Sequence, residues 1–147
     1  MKFLADINVV IPLLLSRHAH RALAVKWFDS TTTGEVALCR LVRLGTLRLL
    51  CNSTVMGLDV QTPESAIAAL EKLEADERIS LVHEPDDLDA TLKFFASPCK
   101  TTPNLWSDAY LAAFAKVSGL KFITFDSGFK KFTGLDFLAL APQAKNH

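Results

Sequence analysis

The spacing of hydrophobic positions changes several times along the chain, and each change marks an element. Lys2 to Ala5 is a short, mostly apolar run that reads as a buried strand, with Asp6 at its carboxyl end. Asn8 to Leu14 follows as a helix with Asn8 near its N-cap. Ala19 to Asp29 sets Ala22, Val25 and either Trp27 or Phe28 on apolar helical spacing, and Thr31 to Gly34 is a turn. Val36 to Leu38 reads as a second strand. It precedes a segment from Leu41 to Leu50 in which Leu41, Leu44 and Leu47 recur at helical spacing among Arg40, Arg43 and Arg48.

The second half repeats this alternation. Thr62-Pro63-Glu64-Ser65 is a helix-start signal for a run to about Asp76, with Thr at the cap and Pro at the first position. Ile79 to Val82 predicts a third strand. Pro85 to Ala96 predicts a helix with Asp86, Asp87 and Asp89 in its favourable first turn. A proline-containing loop, Ser97 to Asn104, leads into a helix from Leu105 to Val117 that Gly119 stops. Lys121 to Thr124 predicts a fourth strand that delivers Asp126, and Leu135 to Leu138 predicts an edge strand. Strands alternating with helices predict an α/β fold: one domain over residues 1–141, with a largely parallel central sheet of four to five strands flanked by helices, and a tail over 142–147.

Composition narrows the function classes. The chain has 147 residues, half of them hydrophobic, which suits one compact domain and excludes a disordered chain. No apolar run reaches the roughly 20 residues that span a bilayer, and the N-terminal segment lacks the layout of a signal peptide. Cys39, Cys51 and Cys99 are odd in number, widely spaced and set among apolar residues, which predicts free thiols. These features predict a cytoplasmic protein. Sixteen basic and sixteen acidic residues cancel, so nucleic acid would have to be met by a local basic rim and not by overall charge.

The candidate chemistry lies at the strand ends. Asp6 closes the first strand and Asp126 the fourth, and in a parallel sheet both point beyond the same edge, where such folds bind ligands. Asp108 sits in the first turn of a helix. Three converging carboxylates repel each other unless a cation sits among them. A hard divalent ion such as Mg²⁺ or Mn²⁺ is the counter-ion that oxygen donors suit. It can also activate water for attack on a phosphodiester. Taken singly, each Asp is a helix or turn cap; the case rests on their joint placement. His18 and His20 are two residues apart and diverge on a helix. Trp27, Phe28, Phe94, Phe95, Phe114 and Phe122 have core spacing, and Trp106 and Tyr110 border Asp108.

Three blocks carry a family likeness: FLADINVVIPLL from Phe3, LCRLVRLGTLRLLCN from Leu38, and WSDAYLAAFAKVSGLKFITFDSGF from Trp106. In this order they resemble the PIN-domain ribonucleases of the VapC type, the toxin halves of toxin–antitoxin pairs. The resemblance implies that Asp6, Asp108 and Asp126 bind Mg²⁺ or Mn²⁺ for RNA hydrolysis, that Asn8 orients Asp6, and that Thr124 lines the site. It implies a homodimer silenced by an antitoxin, with the apolar helix from Val9 to Leu15 as a candidate interface. Many relatives carry a Glu in the second block, where this chain has Arg43 or neighbouring Val42. Either three acids and water hold one ion, or Arg43 contacts the RNA phosphate; reduced activity is a further expectation. Arg40, Arg48, Lys130 and Lys131 are the other candidates for a phosphate rim. Two other readings compete: a PIN-like binding module without activity, and a haloacid-dehalogenase-like phosphatase, which would need a second Asp where Asn8 stands.

Overall fold

Why Asp6 and Asp126 become neighbours follows from the order in which the chain lays down its strands. The computed structural model describes residues 1–141, and the expected tail, 142–147, lies outside them. The elements run β1 (Phe3–Ala5), α1 (Ile7–Leu14), α2 (Arg21–Asp29), β2 (Val36–Cys39), α3 (Arg40–Leu50), α4 (Ser53–Met56), α5 (Pro63–Glu74), β3 (Ile79–Val82), α6 (Leu88–Ala96), α7 (Leu105–Ser118), β4 (Lys121–Thr124) and β5 (Phe137–Ala139). The described strands form one sheet in the order β3-β2-β1-β4-β5, parallel throughout. The chain winds outward from β1 to β3, then returns to the other flank of β1 to lay β4 and β5. The order therefore reverses between β1 and β4, and the crevice beyond their carboxyl ends is where doubly wound sheets bind ligands.

The strands are apolar because helices cover both faces. All four residues of β2 are buried, as are Leu4, Ala5, Phe122 and Ile123 in the two central strands. β3 and β5 are the edges, and there an aliphatic residue of each strand, Leu81 and Leu138, faces water. Register holds Leu4 opposite Phe122 and Ala5 opposite Ile123, and the Asp6 amide donates to the Ile123 carbonyl at 2.9 Å. Asp6 is thus the first residue past the ladder, with its direction set by the last rung.

Several expectations are revised. Asp6, not Asn8, caps α1: its carboxylate Oδ1 accepts from the Ile7 amide at 2.7 Å. The apolar side of α1 faces inward, since Val9, Val10, Ile11 and Pro12 are all buried. Those four residues belong to the core, and of the expected interface only Leu13 to Leu15 are left partly exposed. α1 continues past Pro12 to Leu14, and at its C-terminal end the Arg21 guanidinium donates to the Pro12 and Leu13 carbonyls at 3.2 and 3.1 Å. α6 begins at Leu88, so Asp89 alone is in its first turn, and Asp87 precedes it in the left-handed region at φ 61°. Phe94 is 67% exposed while adjacent Phe95 is buried, because neighbours on a helix point about 100° apart. Both Trp27 and Phe28 are buried, and the last strand begins at Phe137 and not at Leu135. The three cysteines are free.

α1 and α3 approach closely. A β-carbon at Gly45 would meet the tip of the Ile7 side chain, which would have to move aside. The next residue, Thr46, is completely buried, and its hydroxyl has no partner among the described residues. An orphaned hydroxyl costs about 1–3 kcal/mol. Thr46→Val keeps the shape and removes the orphan, so the melting midpoint is expected to rise by about 2–4 °C, read by differential scanning calorimetry. An unchanged or lower midpoint would mean that the hydroxyl has a partner.

Candidate active site

One hydroxyl ties the two central strands together at the switch point. Thr124, the last residue of β4, is fully buried. Its Oγ1 donates to Asp6 Oδ2 at 2.8 Å and accepts from the Asn8 side-chain amide at 3.1 Å and from the Asp126 backbone amide at 3.0 Å. The Asn8 carboxamide oxygen accepts in turn from the Phe125 amide at 3.0 Å. Asn8 therefore uses both ends of its side chain to hold β4 to α1, and it supplies no acid or base. This removes the residue that a phosphatase of the haloacid dehalogenase type would need. Thr124 is also reassigned: buried behind the acids, it positions them and cannot touch a substrate.

The carboxylates open into one cleft of about 630 Å³, lined by Asp6, Asn8, Leu41, Leu44, Gly45, Arg48, Asn104, Ser107, Asp108 and Asp126 among others. Asp6 is buried at its floor, Asp108 is half-buried on the first turn of α7, and Asp126 is exposed. Asp126 begins the 3₁₀ turn Ser127–Lys131, where its Oδ1 accepts from the Gly128 amide at 2.7 Å. A β-carbon at 128 would lie 2.9 Å from that oxygen, so glycine here lets the carboxylate fold back over the turn.

Electrostatics follow from this crowding. Burial, more than anything else, pushes the Asp6 carboxyl up to about 6 from 3.8. The Thr124 and Ile7 hydrogen bonds oppose that shift, and the charges of Asp108 and Asp126 add to it. Asp108 is raised chiefly by burial, with Lys131 pulling it down and Asp126 pushing it up. Each acid is felt by at least one other, so they form one electrostatic cluster. Among the described residues, no three metal-binding side chains stand close enough to close around an ion as placed. Hard oxygen donors are nonetheless the chemistry that Mg²⁺ and Mn²⁺ fit.

α3 lends no acid to this cleft. Its lining residues are Leu41, Leu44, Gly45, Arg48 and Leu49. Arg43 lies on the opposite side of the helix, where its Nε donates to Glu74 Oε1 of α5 at 2.7 Å. The expectation that Arg43 meets phosphate is therefore corrected. Arg48 lines the cleft instead, exposed and without an ion pair among the described residues, and Lys131 is near enough to Asp108 to act on its charge. Tyr110 is turned away, with its hydroxyl donating to Glu84 Oε1 at 2.8 Å, and Trp106 is exposed. Asn104 and Ser107 line the cleft without having been singled out in the sequence. The signal was their place four and one residues before Asp108, on the loop and turn that precede it.

Asp6 binds its proton more tightly folded than unfolded. Its effect on stability is therefore most favourable below 3.8 and is lost as pH rises through about 6, a loss on the order of 3 kcal/mol in metal-free protein. Asp6→Asn retains an acceptor for the Ile7 amide and removes the charge. In EDTA it is expected to melt above wild type at pH 7.5, with the gap closing near pH 4. A variant less stable than wild type at pH 7.5 would make the carboxylate a structural cap.

Comparison with known proteins places these features. The PIN domain family matches residues 3–135. Ribonuclease VapC41 of Mycobacterium tuberculosis is 37% identical over 143 residues, spanning 94% of this chain and 98% of that relative. Ribonuclease VapC39 of the same organism is 28% identical over 135 residues, spanning 86% and 90%. The crystal structure of M. tuberculosis VapC20, described as a sarcin-ricin loop cleaving toxin, superposes with a TM-score of 0.69 at 17% identity, covering 96% of this chain and all of that one. The last likeness is one of fold.

Proposed function

The chain belongs to the PIN-domain family, and from that membership we propose that it is a metal-dependent endoribonuclease that acts as the toxin of a toxin–antitoxin pair. The observation that carries this reading is the carboxylate cluster at the β1/β4 switch point, whose buried member Asp6 is driven up to about 6 by burial and by its neighbours' charges. Such a cluster is completed by a cation. Asp6, Asp108 and Asp126 are the residues that would hold Mg²⁺ or Mn²⁺. When bound, the ion supplies an activated water and charge neutralisation for hydrolysis of an RNA phosphodiester.

The chain's own residues do the remaining work. Thr124 and Asn8 fix Asp6 and the Asp126 backbone, so the donors are oriented before any ligand arrives. Arg48 on one wall and Lys131 near Asp108 give a neutral protein the local positive rim that an RNA backbone needs. For the proposed homodimer and antitoxin contacts, the buried α1 face is replaced by exposed apolar residues elsewhere: Leu44 at the cleft mouth, and Val55, Leu58, Val60 and Ile67 along α4 and α5. No described helix is long and apolar enough to cross a membrane.

Incubation of the full chain with structured RNA and Mg²⁺ or Mn²⁺ is expected to give discrete cleavage, and Asp108→Asn is expected to abolish it while leaving the melting midpoint equal or higher. Equal inactivity of folded wild type and variant would leave a binding module. Arg48→Ala is expected to weaken RNA binding and reduce the slope of log affinity against log salt by about one. Arg43→Ala is expected to leave RNA affinity alone and cost about 1–2 kcal/mol of stability by orphaning Glu74. The opposite pattern would restore Arg43 to the site.

A further inference from the structure

A pair of stacked rings involves the residue that precedes Asp126 in the chain, and the cleavage chemistry has no use for it. The His20 imidazole lies over the Phe125 ring, with centroids 4.3 Å apart and planes within 20°. Phe125 follows Thr124 and precedes Asp126 in the chain, and Asn8 holds its amide. Its ring therefore rises from the backbone segment that carries one of the acids and is fixed by the same residue that orders Asp6. Phe125 is half-buried and His20 is exposed.

The loop that presents His20 is held at both ends. The His20 amide donates to His18 Nδ1 at 3.0 Å, and Arg21, the first residue of α2, is clamped on the Pro12 and Leu13 carbonyls. The His18 ring stands 5.7 Å from His20 and is tilted 36° to it, so it flanks the imidazole without lying flat on it. Beyond it, Ser16, His18, Arg21 and Ala22 line a shallow depression. A flat, ordered, water-exposed ring backed by a second ring is the form of surface on which unpaired RNA bases stack, and His is among the side chains that serve.

We propose that His20, backed by Phe125, is a stacking platform for an unpaired nucleobase of the RNA strand lying across the cleft. This rests on the ribonuclease reading and adds to it. An RNA whose backbone meets Arg48 and Lys131 would splay one base onto His20 next to the Asp126 side of the cleft. The platform then favours single-stranded or loop substrates, because a base inside a duplex has both faces stacked on its neighbours. The contact would hold the strand in place and take no part in bond breaking.

The test uses the full chain and a short single-stranded RNA carrying 2-aminopurine, with Ca²⁺ replacing Mg²⁺ to hold cleavage off. Wild type is expected to quench the 2-aminopurine fluorescence. His20→Ala is expected to lose the quench and bind roughly 5- to 30-fold more weakly, with its melting midpoint unchanged. His20→Phe keeps a flat ring without a titratable nitrogen and is expected to restore both quench and affinity. His20→Ala with wild-type affinity and quench would overturn the proposal. So would a lowered melting midpoint at unchanged affinity, which would make the stack a pin for the loop. If His20→Ala fails to fold, His20→Leu compared with His20→Phe separates stacking from packing. Wild type that cleaves RNA while His20→Ala matches it sinks the platform alone. Wild type that neither binds nor cleaves RNA sinks the ribonuclease reading as well.

Discussion

The site depends on the hydroxyl of Thr124. It is buried at the end of β4, donates to Asp6 and accepts from both Asn8 and the Asp126 amide. These partners come from β1, α1 and the turn after β4, segments more than 110 residues apart in the chain. The parallel pairing of β1 with β4 brings them together, and the hydroxyl then sets their directions. Without that bond, Asp6 would be a helix cap facing a crevice and Asp126 a turn residue, with nothing to coordinate them. A buried polar group of this kind must be satisfied, and here its satisfaction is also the geometry of the site.

The same constraint sets the electrostatics. Holding Asp6 out of water beside two other acids costs free energy in the metal-free protein. α3 could have added a further acid but instead presents leucines and Arg48 to the cleft, while Arg43 is spent on Glu74. The cleft is therefore acidic at its floor and has cationic groups at its wall and beyond Asp108. That layout suits a polyanion whose backbone must approach the proposed metal site. It also explains how a chain with no net charge can address RNA.

Much of this was legible from sequence, for identifiable reasons. The strand ends at Ala5 and Thr124 were visible because short apolar runs stop at polar residues, and the α5 start was visible because Thr62-Pro63 has a single stereochemical reading. Helix faces were harder to read. The α3 pattern of Leu and Arg allows more than one face to be the inner one; the family likeness points to Arg43, and packing turns it toward Glu74 instead. Likewise α1 is so uniformly apolar that periodicity could not say whether its face was core or interface; burial of Val9 through Pro12 decides for core. Phe94 was assigned inward because its neighbour Phe95 is, although adjacent helical positions diverge.

By itself, the sequence determined the alternation of strands and helices, the parallel sheet that follows from it, and the three acids placed where strands and a helix begin or end. These depend on local period, on capping residues and on single-residue chemistry, all of which act over a few positions. Only the tertiary structure decided that Thr124 lies behind the acids and not among the ligands, that Arg48 and not Arg43 faces the cleft, and that His20 rests on Phe125. Those facts depend on which surfaces of distant segments meet. A strand order that reverses beside β1 and a helix rotation about its own axis leave no trace in the spacing of neighbouring residues.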